Sequence, residues 1–421
     1  MNQLKSVPAG LVALLMLAPV MSRAQESYIY RPVSIAVFPG FSTNGFEAGK
    51  VKSNFSLNII GGLLGSLEGM EIGSVFNIEQ GPVDGVQWAG VFNLARGAFG
   101  GFRAAGVFNM AGESFAGFEG AGVFNMVHGP ATGAQMAGVF NLAKGPSAGY
   151  QAAGVWNMVE GDFAGIQQAG IFNLAANDLT IGQMAGVVNV VAGTARGAQL
   201  AGVVNVAHVV QGAQLSGSVN VADEITGAQL GLVNVAGKLS GLQLGLVNVC
   251  DSMDGVPIGL VSIVGNGQLH MNVWADEAAL LNLGMKVGSK QIYNVFGLGY
   301  QPLGDTKRFM TTLGIGGHIP IDPFFCDLDL TATDVHPRFD WWWHATAAGT
   351  NLLTRLRIAG GWQVAPGFAI TAGPALSVFV STVENGANVP MYDAPVFAYD
   401  GGSDRTKVRI WPGFTAGLQL F

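Results

Sequence analysis

Residues 334–351, DVHPRFDWWWHATAAGTN, form the densest mixture of polar and aromatic side chains in the chain. Asp334, His336, Asp340 and His344 are of the types that ligate metals, but their separations match no compact ligand motif. The stretch reads instead as an exposed interaction loop. His336, Asp340, Trp341, Trp342, Trp343 and His344 would form it, the tryptophans at the headgroup level of a membrane interface. His128 and His208 stand in turns where no other repeat keeps a histidine, which points to solvated side chains. No phosphate loop, nucleophile elbow or dinucleotide fingerprint occurs. The expectation is a chain with no catalytic, metal-binding or cofactor-binding residues, and not an enzyme.

The more regular chemistry is carried by amides. An asparagine recurs at Asn77, Asn93, Asn109, Asn125, Asn141, Asn157, Asn173, Asn189 and Asn205, always sixteen residues apart. Asn220 follows fifteen on, Asn234 and Asn248 come at intervals of fourteen, and Ser262 stands where the next would fall. A second column, Gln87, Gln135, Gln151, Gln167, Gln183, Gln199 and Gln214, precedes the first by six residues, with Arg103 and Glu119 filling its gaps. Stacked primary amides donate to and accept from one another, so the asparagines are expected to form a structural hydrogen-bonded ladder. A ligand-reading surface is the alternative for these columns, but ladders in stacked repeats are structural as a rule.

What must position such columns is a β repeat. Val, Phe and Gly dominate each unit and no helical period appears. Phe140 and Leu142 share one face of a strand, Val139 and Asn141 the other. Each unit could be one coil of a β-solenoid or one strand of a large membrane barrel. From Gln229 onward the Gln-to-Asn spacing drops to five. Losing one residue inside a strand turns every later side chain to the wrong face, whereas losing one at a corner does not. The solenoid is therefore expected, and in-register stacking then sets Arg103 beside Glu119. The column before Asn runs from Phe76 to Phe172 with Trp156 among them, then becomes valine from Val188 to Val247. It is expected to be a core that narrows as the coils shorten. The calcium-binding nonapeptide is absent.

With a net charge of −7 and no basic stripe, nucleic acid is an unsuitable partner. Residues 1–24 read as a signal peptide, with Lys5 before the apolar run Ala9–Met21 and Ser22-Arg23-Ala24 at the cleavage site, so the protein is expected to be exported. Cys250 and Cys326 fall in different regions and are expected to be independent buried thiols.

The repeat stops near Gly265. Eight candidate strands follow: Leu269–Ala275, Ala278–Val287, Gln291–Tyr300, Phe309–His318, Phe324–Thr333, Leu352–Val364, Phe368–Ser381 and Val408–Phe421. Connections after the second, fourth and sixth are short, while those after the fifth and seventh are long. That asymmetry, with aromatics near strand ends and a terminal Phe421, is the pattern of an outer-membrane barrel. Eight strands leave an interior filled by side chains, an anchor and not a pore.

The tandem AGVFNL, AGVVNVA and GLQLGLVNVCDSMDGVPIGLVSIV, running into IYNVFGLGYQPLG and NLLTRLRIAGGW, resemble the surface repeat-containing proteins of diderm bacteria over most of the mature chain. The resemblance implies a surface or outer-membrane location and brings no established activity or site residues. His344-Ala-Thr346 resembles the His-x-Ser of barrel-embedded lipid A deacylases, with threonine for serine and no acidic partner. The expected protein is all-β. It comprises a signal peptide (1–24), an N-terminal cap (25–68), a solenoid of roughly twelve 14–16-residue coils (69–265) and an eight-stranded antiparallel barrel (266–421). Its expected role is noncatalytic and at the cell envelope, with outer-membrane lipid and a protein or glycan ligand as partners. Barrel topology with both termini inside would leave the repeats in the periplasm, while the resemblance says surface. The alternatives are a single large barrel acting as a channel, and a barrel enzyme acting on envelope lipid.

Overall fold

The computed structural model describes residues 27–303, 307–336, 349–382, 395–401 and 406–420. The expected signal peptide, and Asp340, Trp341, Trp342, Trp343 and His344 of the expected loop, lie outside the described residues. Apart from one 3-10 turn at Gly45–Lys50, the regular structure is all strand. A solenoid of about 13 turns runs into a closed eight-stranded antiparallel barrel. The repeats are thus not strands of one large barrel, and that alternative is overturned by their parallel stacking.

Each coil has a longer strand carrying glutamine, such as Phe163–Ala169, a bend at 170–171, and a short strand carrying asparagine, Phe172–Ala175. Successive coils pair in parallel and in register, Gln151 with Gln167 and Asn157 with Asn173. Where the repeat shortens, Gln214 still faces Gln229 and Asn220 still faces Asn234. The lost residue comes from the end of the glutamine strand at the bend, where Ala169 precedes Gly170 in a long coil but Leu230 leads straight into Gly231 in a short one, so the paired columns do not slip. Two residues before the glutamine, Gly101, Gly117 and Gly133 have φ between 116° and 130°. A Cβ at any of them would stand 2.0 Å from a carbonyl oxygen one coil back, so the column needs glycine. Ile181 breaks the column at φ 98°.

The stack begins before its sequence signature does. Val51–Asn58 and Gly61–Leu64 pair in parallel with Ser66–Gly73 and Phe76–Glu79, so the end of the expected cap is itself a coil. It was hidden because Ser56 stands where the glutamine column would run, opposite Glu71. Val33–Phe38 covers its open side.

The core consists of two columns, a small one (Ala95, Ala111, Val127) and a larger one (Phe99, Phe115, Phe163), together with the wholly buried Asn and Gln side chains. The expectation that the Phe76-to-Val247 column is core is overturned. Side chains alternate along a strand, so burying asparagine turns both neighbours outward. These rings are half-buried on the exterior and stack in successive coils at 4.9 Å, Phe92 on Phe108 and Phe108 on Phe124. Val139, expected on the same strand face as Asn141, instead lies half-exposed in the bend. It is therefore an exterior column that loses bulk from Val188 onward.

The barrel strands are β1 (Gln268–Asp276), β2 (Leu281–Gly288), β3 (Ile292–Gln301), β4 (Arg308–Ile321), β5 (Phe324–His336), β6 (Asn351–Ala365), β7 (Phe368–Ser381) and β8 (Lys407–Leu420). β1 closes on β8, Met271 facing Leu420, and the short strand Phe397–Asp400 pairs with β8. All eight expected strands are present. The solenoid meets the barrel at the end bearing the short turns after β2, β4 and β6. There the side-chain amide of Asn294 donates to the Gly259 carbonyl of the last full coil at 2.6 Å.

Candidate functional site

β5 and β6 carry charges at every second position, Asp327 and Asp329 against Arg355 and Arg357, with Leu328, Leu330, Leu356 and Ile358 between them. Strand alternation sends one set into the lumen and the other outward. The charged set is buried, whereas the leucines and isoleucine are 41–50% exposed. The same inversion holds around the barrel: Lys286, Tyr293, Thr312 and Ser377 point in, and Leu283, Leu298, Leu313 and Leu376 point out.

Two linked clusters fill the lumen. Near the solenoid, Asp329 accepts from the Tyr293 hydroxyl at 2.6 Å and from Arg357 Nε at 3.0 Å and Nη2 at 2.5 Å. Beside it, Asp327 is ion-paired with Lys286 and bonded to His318 Nδ1 at 2.7 Å. The Lys286 ammonium lies 4.8 Å from the Tyr293 ring centroid, and the Arg357 guanidinium 5.1 Å from that of Trp274. Toward the far end, Arg355 donates to Asp276 at 2.6 Å and to Glu277 at 3.2 Å. Glu277 also accepts from Ser377 at 3.0 Å and from the Trp411 indole at 3.1 Å. A cavity of about 10 Å³ remains between Trp274, Thr312, Thr333 and Arg355. Each charge has a partner of opposite sign, and space for about one water remains there, so the arrangement suits a rigid plug better than a reacting centre.

The solenoid interior is polar by a different device. Each asparagine donates from Nδ2 to the Oδ1 of the next, as Asn125 does to Asn141 at 2.9 Å, and also to a backbone carbonyl, Met136 at 2.8 Å. Asn77, Asn93, Asn109, Asn125, Asn141, Asn157, Asn173, Asn189, Asn205, Asn220, Asn234 and Asn248 are all wholly buried. Their chain opens on Asn58 and ends on Ser262 at 3.5 Å. The glutamines run the opposite way: Gln167 donates back to Gln151 at 2.9 Å and Gln183 back to Gln167 at 2.8 Å. Their row stops at Gln243, where Pro257 takes the next position.

One charged rung interrupts the amides. Arg103 Nε donates to Glu119 at 2.7 Å, Nη1 to the Met110 carbonyl at 3.1 Å, and the guanidinium lies 4.5 Å from the Phe99 ring centroid. The other Glu119 oxygen accepts from Gln135 at 2.6 Å, joining the pair to the row. Further toward the N-terminus, Gln87 bridges the Glu71 and Glu79 carboxyls at 2.9 and 2.6 Å. Burial first, and then the neighbouring Glu71, raises the Glu79 acid well above its ordinary range.

The remaining expected site residue, His336, ends β5 with Nε2 at 3.2 Å from Asp334. It is described without its companions, so the loop is not assembled among the described residues. No group of three metal-ligating side chains occurs among the described residues. Cys250 and Cys326 are unpaired; Cys250 is buried, and that burial pushes its thiol up, while Cys326 is only partly covered. The lumen network went unread in the sequence, although its signal is there in CDLDLTATD and TRLRI, where every second residue is polar. Comparison with protein-family profiles, curated proteins and solved structures finds no match to this chain.

Proposed function

We propose that this chain is a noncatalytic envelope protein whose barrel lies in an outer membrane and holds the solenoid against its periplasmic side. The observation that carries this reading is the inverted barrel, with a charged lumen and a predominantly apolar wall. In water such a wall is unfavourable by roughly 25 cal/mol for every Å² of apolar surface left wet, whereas lipid removes that penalty. The resemblance of the repeats to surface repeat-containing proteins supports an envelope location. The side follows from the junction: short turns mark the periplasmic end of such barrels, and the solenoid joins that end. The filled lumen supports an anchor and gives a channel no path.

The test is protease accessibility of a cleavable tag in the exposed turn at Lys144, on intact and then on permeabilised cells. Protection until permeabilisation is the expected result. Cleavage on intact cells would place the solenoid outside and overturn the assignment of sides.

A further inference from the structure

We propose that the bend edge of the solenoid is a lipid-binding groove that takes acyl chains from the membrane around the barrel. The proposal rests on the membrane reading above. In each coil the residue after the glutamine and the residue after the bend glycine both point outward. In the coils nearest the barrel these are Met184, Leu200, Leu215 and Leu244 on one side, and Leu232 and Leu246 on the other. Between them lies a floor of small residues, Ala185, Gly186, Ala201, Ser216, Gly231 and Gly245. The cleft so formed has a volume of about 810 Å³, within the range of ligand sites.

Four observations favour a lipid chain as the occupant. No charged side chain lines the cleft, and the solenoid's exposed ion pairs, Asp178–Arg196 and Glu224–Lys238, lie in the turns at the opposite edge. Along the wall that follows the bend glycine, Val187, Val203, Leu232, Leu246 and Leu260 are 37–60% exposed. The last bend is fastened to the membrane wall itself: Gly259 accepts from Asn294, and the next outward residues of β3 are Phe296 and Leu298. Finally, the coils bond to one another along the axis, Gly186 N to Ala169 O at 3.2 Å and Val204 N to Val187 O at 2.9 Å. The face therefore offers no free row of backbone donors to an added protein strand, and its contacts are mainly apolar, with Gln168 and Ser216 the polar side chains of the lining. At its far end the cleft meets a second of about 610 Å³, where the Tyr150 hydroxyl donates to Gln168 at 2.8 Å.

The test reconstitutes the full-length protein in vesicles of phosphatidylethanolamine and phosphatidylglycerol. A trace of phosphatidylethanolamine carries a photoactivatable diazirine on one acyl chain, and adducts are mapped by peptide mass spectrometry. Adducts are expected within residues 184–246 as well as on the outward residues of the barrel. Leu215→Asp and Leu244→Asp, each a change to an outward side chain, are expected to cut groove adducts about tenfold or more. Barrel adducts should stay constant, which also reports that the variants have folded. Labelled barrel peptides beside unlabelled groove peptides would overturn the groove and leave the membrane reading standing. Absence of adducts on both would overturn the two together. Groove adducts that survive both substitutions, or a dimer in detergent with the groove unlabelled, would equally overturn lipid as the occupant.

Discussion

The solenoid and the barrel both bury polar groups and present apolar side chains outward, yet they satisfy their interiors in opposite ways. In the solenoid like meets like: the side-chain partners of Asn141 are Asn125 and Asn157, one coil to either side. In the barrel the partners differ from one pair to the next and several are remote in sequence, Arg355 with Asp276 across 79 residues and Trp411 with Glu277 across 134. A ladder of identical rungs can absorb a swapped rung, because the replacement finds the same neighbours. A network of dissimilar partners cannot, since a removal such as that of Asp329 strands the Arg357 guanidinium bonded to it.

The sharpest way to break this contrast is Asp329→Ala, which strands Arg357 and deprives Tyr293 of its acceptor. The expected loss is about 3–5 kcal/mol. Urea unfolding of the reconstituted protein measures it, and a loss under about 1 kcal/mol would deny the network its structural weight. Arg103→Gln comes next, costing about 3 kcal/mol by leaving Glu119 charged and buried without its cation. The double variant Arg103→Gln/Glu119→Gln restores an all-amide row and should unfold at least as late as the parent. Failure of that rescue, or an equal rescue by Asp329→Asn/Arg357→Gln in the barrel, would erase the distinction.

A smaller effect depends on pH. Because the Glu79 acid is raised, the folded chain keeps a proton that the unfolded chain releases. Stability from this group is full below the ordinary value of 4.5 and is lost as pH climbs toward the raised one. Glu79→Gln should therefore match the parent at pH 4 and exceed it at pH 8; unfolding midpoints that stay parallel at both would refute the assignment. The smallest effect is expected at Ile181, a β-branched residue at φ 98° where the column otherwise holds glycine. Ile181→Gly should stabilise the solenoid by about 1 kcal/mol, visible as a later thermal transition.

The two regions also differ in how far they could be read from sequence. The coil, its register and the Arg103–Glu119 adjacency were legible because the repeat prints each column many times and the drop of the Gln-to-Asn spacing to five from Gln229 onward locates the bend. The barrel strands were legible from their turns. The direction of the faces was not: Phe108 resembles core and Asn109 resembles surface, and only the ladder, which needs many coils at once, reverses that preference. The lumen pairs were hidden by sequence distance, and the bend groove by being assembled from one or two residues per coil. The Asp340–His344 stretch, the most chemical-looking part of the sequence, falls outside the described residues.

The central claim is that the barrel wall faces lipid while its lumen is a closed polar plug. Spin labels at single cysteines along β5, in a Cys250→Ser/Cys326→Ser background, test it most directly. In reconstituted vesicles, labels at Leu328 and Leu330 should collide strongly with dissolved oxygen and weakly with a water-soluble nickel chelate, and a label at Thr331 should meet little of either. Labels at Leu328 and Leu330 that are freely reached by the nickel chelate would mean the wall is in water, and the membrane account would fall.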